Sequence, residues 1–100
     1  MTKLKTNLKS GIIYEIRKYH YSVGGELFAE IEVLDFGNSY GVQGNVLYDG
    51  KEIPIKELLK KTTYDTIEEA LNDAIKEVEQ KIKNHPWVVQ CEKKAKEIGL

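Results

Sequence analysis

The side chains with the chemistry to ligate a metal or attack an electrophile are few: His20, His85 and Cys91. A metal site gathers several N, S or O donors, usually at short spacings such as Cys-x-x-Cys, His-x-x-x-His or an acidic calcium loop. None of these spacings occurs, and the two histidines fall on different predicted elements, so neither a metal nor another cofactor is expected. A reactive Cys91 would need a neighbouring base and an electropositive setting. Its spacing to Trp87, Ala95 and Ile98 puts it on the apolar side of a helix instead. Ser10, Ser22 and Ser39 fall at turns or strand ends, and none lies in a Gly-x-Ser-x-Gly elbow. Glu30 and Glu32 share a strand face, and without a cleft they read as solvated carboxylates rather than an acid–base pair. Gly24-Gly25 and Gly41-Val42-Gln43-Gly44 are too short for a phosphate cradle and open no helix. No catalytic residue is expected, and the chain is read as a binding protein rather than an enzyme.

Binding chemistry is better represented. The net charge of −1 predicts no strong bulk attraction to nucleic acid or to anionic membranes. The distribution is uneven: residues 1–20 carry five bases against one acid, and residues 21–49 carry five acids and no Lys or Arg. Arg17-Lys18-Tyr19-His20-Tyr21 interleaves bases with aromatics, a mix suited to backbone contact and base stacking. Tyrosine is frequent, and tyrosine and tryptophan are enriched at protein interfaces. Trp87 belongs either to the core or to a dimer contact.

The elements that position these residues follow from periodicity. The first ten residues, lysine-rich with isolated Leu4 and Leu8, read as a flexible basic arm covering 1–11. From Ile12 the period is two, as a strand requires, until Gly24-Gly25, a pair suited to a type I′ hairpin turn. A second strand, Glu26–Phe36, places Leu27, Ala29, Ile31 and Val33 on one face and Glu26, Glu30 and Glu32 on the other. With Val23 paired to Glu26, strict alternation sets Ile16 against Val33 and His20 against Ala29 on the core face. On the opposite face it sets Arg17 against Glu32, Tyr19 against Glu30 and Tyr21 against Phe28. Gly37-Asn38-Ser39 turns into a third strand, Tyr40–Tyr48. The glycines inside it, Gly41 and Gly44, point to a bulge or a close backbone approach. Asp49-Gly50 is a second two-residue turn, after which Lys51–Ile53 forms at most a short edge strand, because Pro54 cannot donate to a ladder. Pro54 could equally open a short helical segment with Ile55, Leu58 and Leu59.

Thr66-Ile67-Glu68-Glu69 is a capping box. Ile67, Ala70, Leu71, Ala74, Ile75, Val78 and Ile82 follow at helical spacing and predict a long amphipathic helix on the sheet. Pro86 drives His85 out of the α region and can start a second helix. That helix carries Trp87, Val88, Cys91, Ala95 and Ile98 on its apolar side. The fold class is therefore α+β: an antiparallel three- to four-stranded β-meander packed against a long amphipathic helix, with a second C-terminal helix. Residues 12–100 make one domain, since 100 residues suffice for one and not for two. A domain of this length buries roughly 60–70% of its unfolded surface and needs no disulfide. The single cysteine, the missing apolar leader and the lack of a membrane-length apolar run predict a cytoplasmic protein that does not enter a membrane.

Thr66-Ile67-Glu68-Glu69-Ala70 resembles the Thr-x-Glu-Glu-Ala helix start of HicB-type antitoxin domains. The Pro-Asp-Leu-Pro-Gly-Cys stretch common in that family is absent. A three-stranded sheet backed by a helix also resembles, in element order, the arm-binding domains of mobile-element integrases and AP2-type domains, which implies a sheet reading the DNA major groove. The expected function is a non-catalytic protein-binding module, in the manner of a phage or mobile-element accessory or inhibitor protein. It would act through an aromatic–acidic sheet face of Tyr19, Tyr21, Phe28, Glu30 and Glu32. A homodimer is one form such binding can take. The alternative is nucleic-acid binding through Lys3, Lys5, Lys9, Arg17 and Lys18, against which the neighbouring Glu30 and Glu32 weigh, because acids beside bases reduce counterion release.

Overall fold

In the computed structural model, which describes residues 11–97, the chain forms four strands and two helices. The strands are β1 (Glu15–Val23), β2 (Glu26–Asp35), β3 (Tyr40–Tyr48) and β4 (Lys51–Pro54), and the helices are α1 (Ile67–Ile82) and α2 (Pro86–Glu97). The sheet is an antiparallel meander in the order β1-β2-β3-β4. Both predicted two-residue turns form, with positive φ at Gly24 and Gly25 and at Asp49 and Gly50, the conformation type I′ turns require. After β4 the chain makes one 3-10 turn at Ile55–Glu57, which buries Ile55, so Pro54 ends the strand and opens the turn.

The β2–β3 register is continuous, so Gly44 marks a close approach and not a bulge. Its φ of +120° and the Glu30 carbonyl oxygen, which stands where a Cβ would go, leave room only for glycine.

The β1–β2 register departs from strict alternation. Val23 faces Glu26 and Ser22 faces Leu27, but Tyr21 faces Ala29, leaving Phe28 as the extra residue of a β-bulge. Beyond the bulge every pair moves by one: Tyr19 meets Ile31, Lys18 meets Glu32, Arg17 meets Val33 and Ile16 meets Leu34. Because side chains alternate between faces, the one-residue slip carries Tyr19 and Tyr21 to the core side and Ile16, Lys18 and His20 to the other. Burial explains the preference. Phe28 and Ala29 both enter the core, with Tyr19 and Tyr21 packed against it, whereas strict alternation would leave three aromatic rings in water.

One helix stripe covers the core side. Ala70, Ala74, Val78 and Ile82 of α1 are fully buried against Ile31, Val33, Val42 and Val46, and the two alanines let the helix axis approach β2 and β3. The Thr66 hydroxyl accepts from the Glu69 N–H at 3.1 Å, so the predicted N-cap forms. The chain entering α1 is tied to the sheet by Tyr64, which exchanges backbone hydrogen bonds of 3.0 and 2.8 Å with Tyr40. Helix α2 sits beneath the β1–β2 turn. Val88 is buried, the Trp87 indole N–H donates to the Val23 carbonyl at 2.7 Å, and Gly24 lies close against Cys91 and Trp87. No helix among the described residues is long and apolar enough to cross a membrane.

Candidate interaction surface

The five residues expected to form one aromatic–acidic face are divided between the two faces of the sheet. Phe28 is 4% exposed, and Tyr19 and Tyr21 are half-buried against the core on the helix side. Glu30 and Glu32 stand on the opposite face, in register with His20 and Lys18. The cause is the bulge at Phe28. The basic set is divided as well: Arg17 lies on the core side opposite Val33 and Lys18 on the open side. Lys3, Lys5 and Lys9, with all of the predicted arm before Gly11, lie outside the described residues.

What the structure does assemble is an open sheet face. The core-facing residues of β2 and β3 are those buried by α1, and α2 lies on the same side through Val88. The reverse face therefore carries no described helix. Its centre is a polar ladder running across the strands. Lys18 Nζ lies 3.7 Å from Glu32 Oε2, and Gln43 donates to the other carboxylate oxygen of Glu32. One rung along, His20 Nε2 lies 3.7 Å from Glu30 Oε2, with Asn45 beyond it in register. A shallow groove lined by Glu30, Glu32, Gln43, Asn45, Pro54 and Lys56 runs along this ladder.

At one end the ladder gives way to apolar side chains. Ile16 faces Leu34, which faces Gly41. Phe36 lies over Gly41, where a Cβ would meet its ring at 3.3 Å, and the Tyr14 ring packs on Phe36 at a centroid distance of 5.4 Å. Tyr14 is 41% exposed and Ile16 45%. Phe36 and Tyr14 replace Tyr19, Tyr21 and Phe28 as the aromatics sharing a face with Glu30 and Glu32. Sequence reasoning missed them because Phe36 read as the end of a strand; the signal was its parity with Leu34 and the side-chain-free Gly41 beneath it.

The candidates for chemistry are held apart or engaged. His20 is exposed on the open face, and Cys91 is tucked under the Gly24 turn. Among the described residues no three His, Cys, Asp or Glu side chains gather as a metal group. His85 is structural at both nitrogens. Its Nδ1 accepts from the Trp87 backbone N–H at 3.1 Å, which caps the start of α2 and leaves Nε2 to carry the proton toward Asp49 Oδ1 at 3.3 Å. The rings of Phe28 and Tyr48 meet it edge-on at 5.0 and 5.1 Å. One imidazole thus joins the β3–β4 turn, the bulge and the helix junction.

Two phenols are similarly occupied. Tyr64 donates to Asp73 Oδ2 at 2.6 Å and Tyr21 to Glu79 Oε2 at 3.1 Å. Burial, then these hydrogen bonds to carboxylates, hold both hydroxyls above the ordinary value for tyrosine. Both act as anchors of α1 rather than as acids. Compared with protein-family models, with curated proteins and with solved structures, the chain matches none of them.

Proposed function

We propose that the chain is a non-catalytic protein-binding module that docks a partner on the open face of its sheet. The observation that carries this reading is an apolar cluster in which the exposed Tyr14 and Ile16 pack beside the half-buried Leu34 and Phe36, next to the carboxylates of Glu30 and Glu32 on a face that no described helix covers. A contiguous exposed apolar patch with a polar rim is the usual mark of an interaction site. Its composition, aromatic and aliphatic side chains at the centre with charges at the margin, is that of a recognition interface. A partner with an apolar contact surface bordered by basic groups fits it best, the basic groups meeting Glu30 and Glu32.

Nucleic acid is less well served. On this face the base at the ladder, Lys18, stands against Glu32, so a phosphate arriving there would meet a carboxylate. The test is affinity capture with the immobilised chain, run in parallel with the Tyr14→Ala/Phe36→Ala double variant, alongside anisotropy titrations with duplex DNA and RNA. A protein retained by the wild type and lost by a variant of unchanged circular dichroism supports the proposal. Equal retention by both, or tight salt-sensitive nucleic-acid binding with no protein retained, defeats it.

A further inference from the structure

Of the two edge strands, β1 and the four-residue, proline-ended β4, β1 is the longer, and no strand among the described residues pairs with its outer side. It runs for nine residues, is exposed along most of its length and carries neither a proline nor a covering element among the described residues. Its approach, residues 12–14, lies outside the β1–β2 ladder, whose last pair is Glu15 with Asp35, and is held at the end of the sheet by the Tyr14 ring on Phe36. That stretch and the start of β1 hold Ile12, Ile13, Tyr14 and Ile16, which are 68%, 42%, 41% and 45% exposed. Exposed, apolar edge strands pair with other strands unless something prevents it.

From the sequence of this edge we infer that its occupant is the same edge of a second copy, paired antiparallel about a two-fold axis at Ile16. A two-fold perpendicular to the sheet keeps core side on core side. Each residue must therefore face one of the same parity, and the axis must pass through a residue, not between two. Few registers remain. An axis at Glu15, Arg17 or Lys18 sets like charges against each other. An axis at Tyr19 brings Lys18 onto His20 and leaves Glu15 facing Val23. An axis at Ile16 sets Ile16 on itself, Glu15 against Arg17, Tyr14 against Lys18, Ile13 against Tyr19 and Ile12 against His20.

This register alone places the only acid of β1 opposite a base, and symmetry makes the pair occur twice. Arg17 has five N–H donors and can hold a partner's carboxylate in addition to contacts within its own chain. The same register lays all four exposed apolar residues of the edge along the partner strand, where Lys18 meets the Tyr14 ring as a cation over an aromatic face. The product is a continuous eight-stranded sheet with both pairs of helices on one side. The inference does not rest on partner docking at the open face: edge pairing engages Tyr14 and Ile16 at the border of that face and leaves Leu34, Phe36, Glu30 and Glu32 uncovered on it.

The test is sedimentation equilibrium of the wild type, Glu15→Arg, Arg17→Glu and the double swap Glu15→Arg/Arg17→Glu, from micromolar to hundreds of micromolar. The wild type is expected to dimerise. Each single reversal, which opposes like charges twice, is expected to weaken dimerisation at least about tenfold, and the swap to restore it. Hydrogen exchange on the unsubstituted chain gives a reading independent of variant folding: amides within residues 12–20 gain protection as concentration rises. A wild type that stays monomeric overturns the inference. So does a dimer indifferent to the single reversals, or one whose protection lies outside residues 12–20.

Discussion

Tyr21 stands across the hairpin from Ala29, and Phe28, its neighbour in sequence, has no cross-strand partner. Phe28 is instead driven into the core, where it meets His85 edge-on. Replacing it by alanine removes a fully buried ring and leaves a cavity. Phe28→Ala is expected to destabilise the fold by about 3–5 kcal/mol in urea unfolding. Tyr14→Ala, a half-exposed ring on the other face, is expected to stay within about 1 kcal/mol of the wild type. Similar losses at the two positions would show that the bulge does not sort the faces as described.

Gly44 gives a second test of register. An alanine there would have to displace the Glu30 carbonyl from the β2–β3 ladder and hold a positive φ. Gly44→Ala is expected to cost at least about 2–3 kcal/mol. Gly50→Ala, with a positive φ and open space around it, is expected to cost about 1 kcal/mol. Thermal melts of the two variants side by side read the difference.

The Tyr64–Asp73 hydrogen bond ties the loop before α1 to the helix itself. Tyr64→Phe is expected to lose about 1.5–3 kcal/mol, the range for a hydrogen bond to a charged group. The bond also sets a pH dependence. Tyr64 and Tyr21 hold their protons more tightly in the folded state than at the ordinary value of 10.0. Their contribution is therefore full below pH 10 and is lost as pH rises from there through the folded-state values. Denaturation midpoints measured from pH 8 upward should fall above pH 10 in the wild type. They should fall less steeply in Tyr21→Phe/Tyr64→Phe.

The elements legible in the sequence are those fixed by local chemistry. Gly24-Gly25 and Asp49-Gly50 turn where their φ freedom allows, Thr66 caps α1, and Pro86 opens α2 after His85, all as expected. The face assignment of β1 was not legible. Leu27-Phe28-Ala29 is a run of three apolar residues, so the pattern of β2 fits either phase of β1. The choice between phases rests on how many aromatic rings α1 covers, a tertiary quantity that alternation in one strand does not contain. The same limit hid the His85 cluster, whose partners Asp49 and Phe28 are distant in sequence. Glu30 and Glu32 stand on the face away from α1 because their phase is set within β2, whereas the phase of the aromatics beside them is not set there.

A photoreactive side chain placed on the open face of the sheet reads out whether the partner docks there. Leu34 lies on that face and outside the β1 edge, and Asn72 lies on the exposed side of α1. With a benzophenone amino acid at one position or the other, irradiation in lysate is expected to give a discrete protein adduct from position 34 and none from position 72. An adduct from position 72 alone, or from neither position under conditions where the chain retains a partner, would mean that the partner docks somewhere other than the open face.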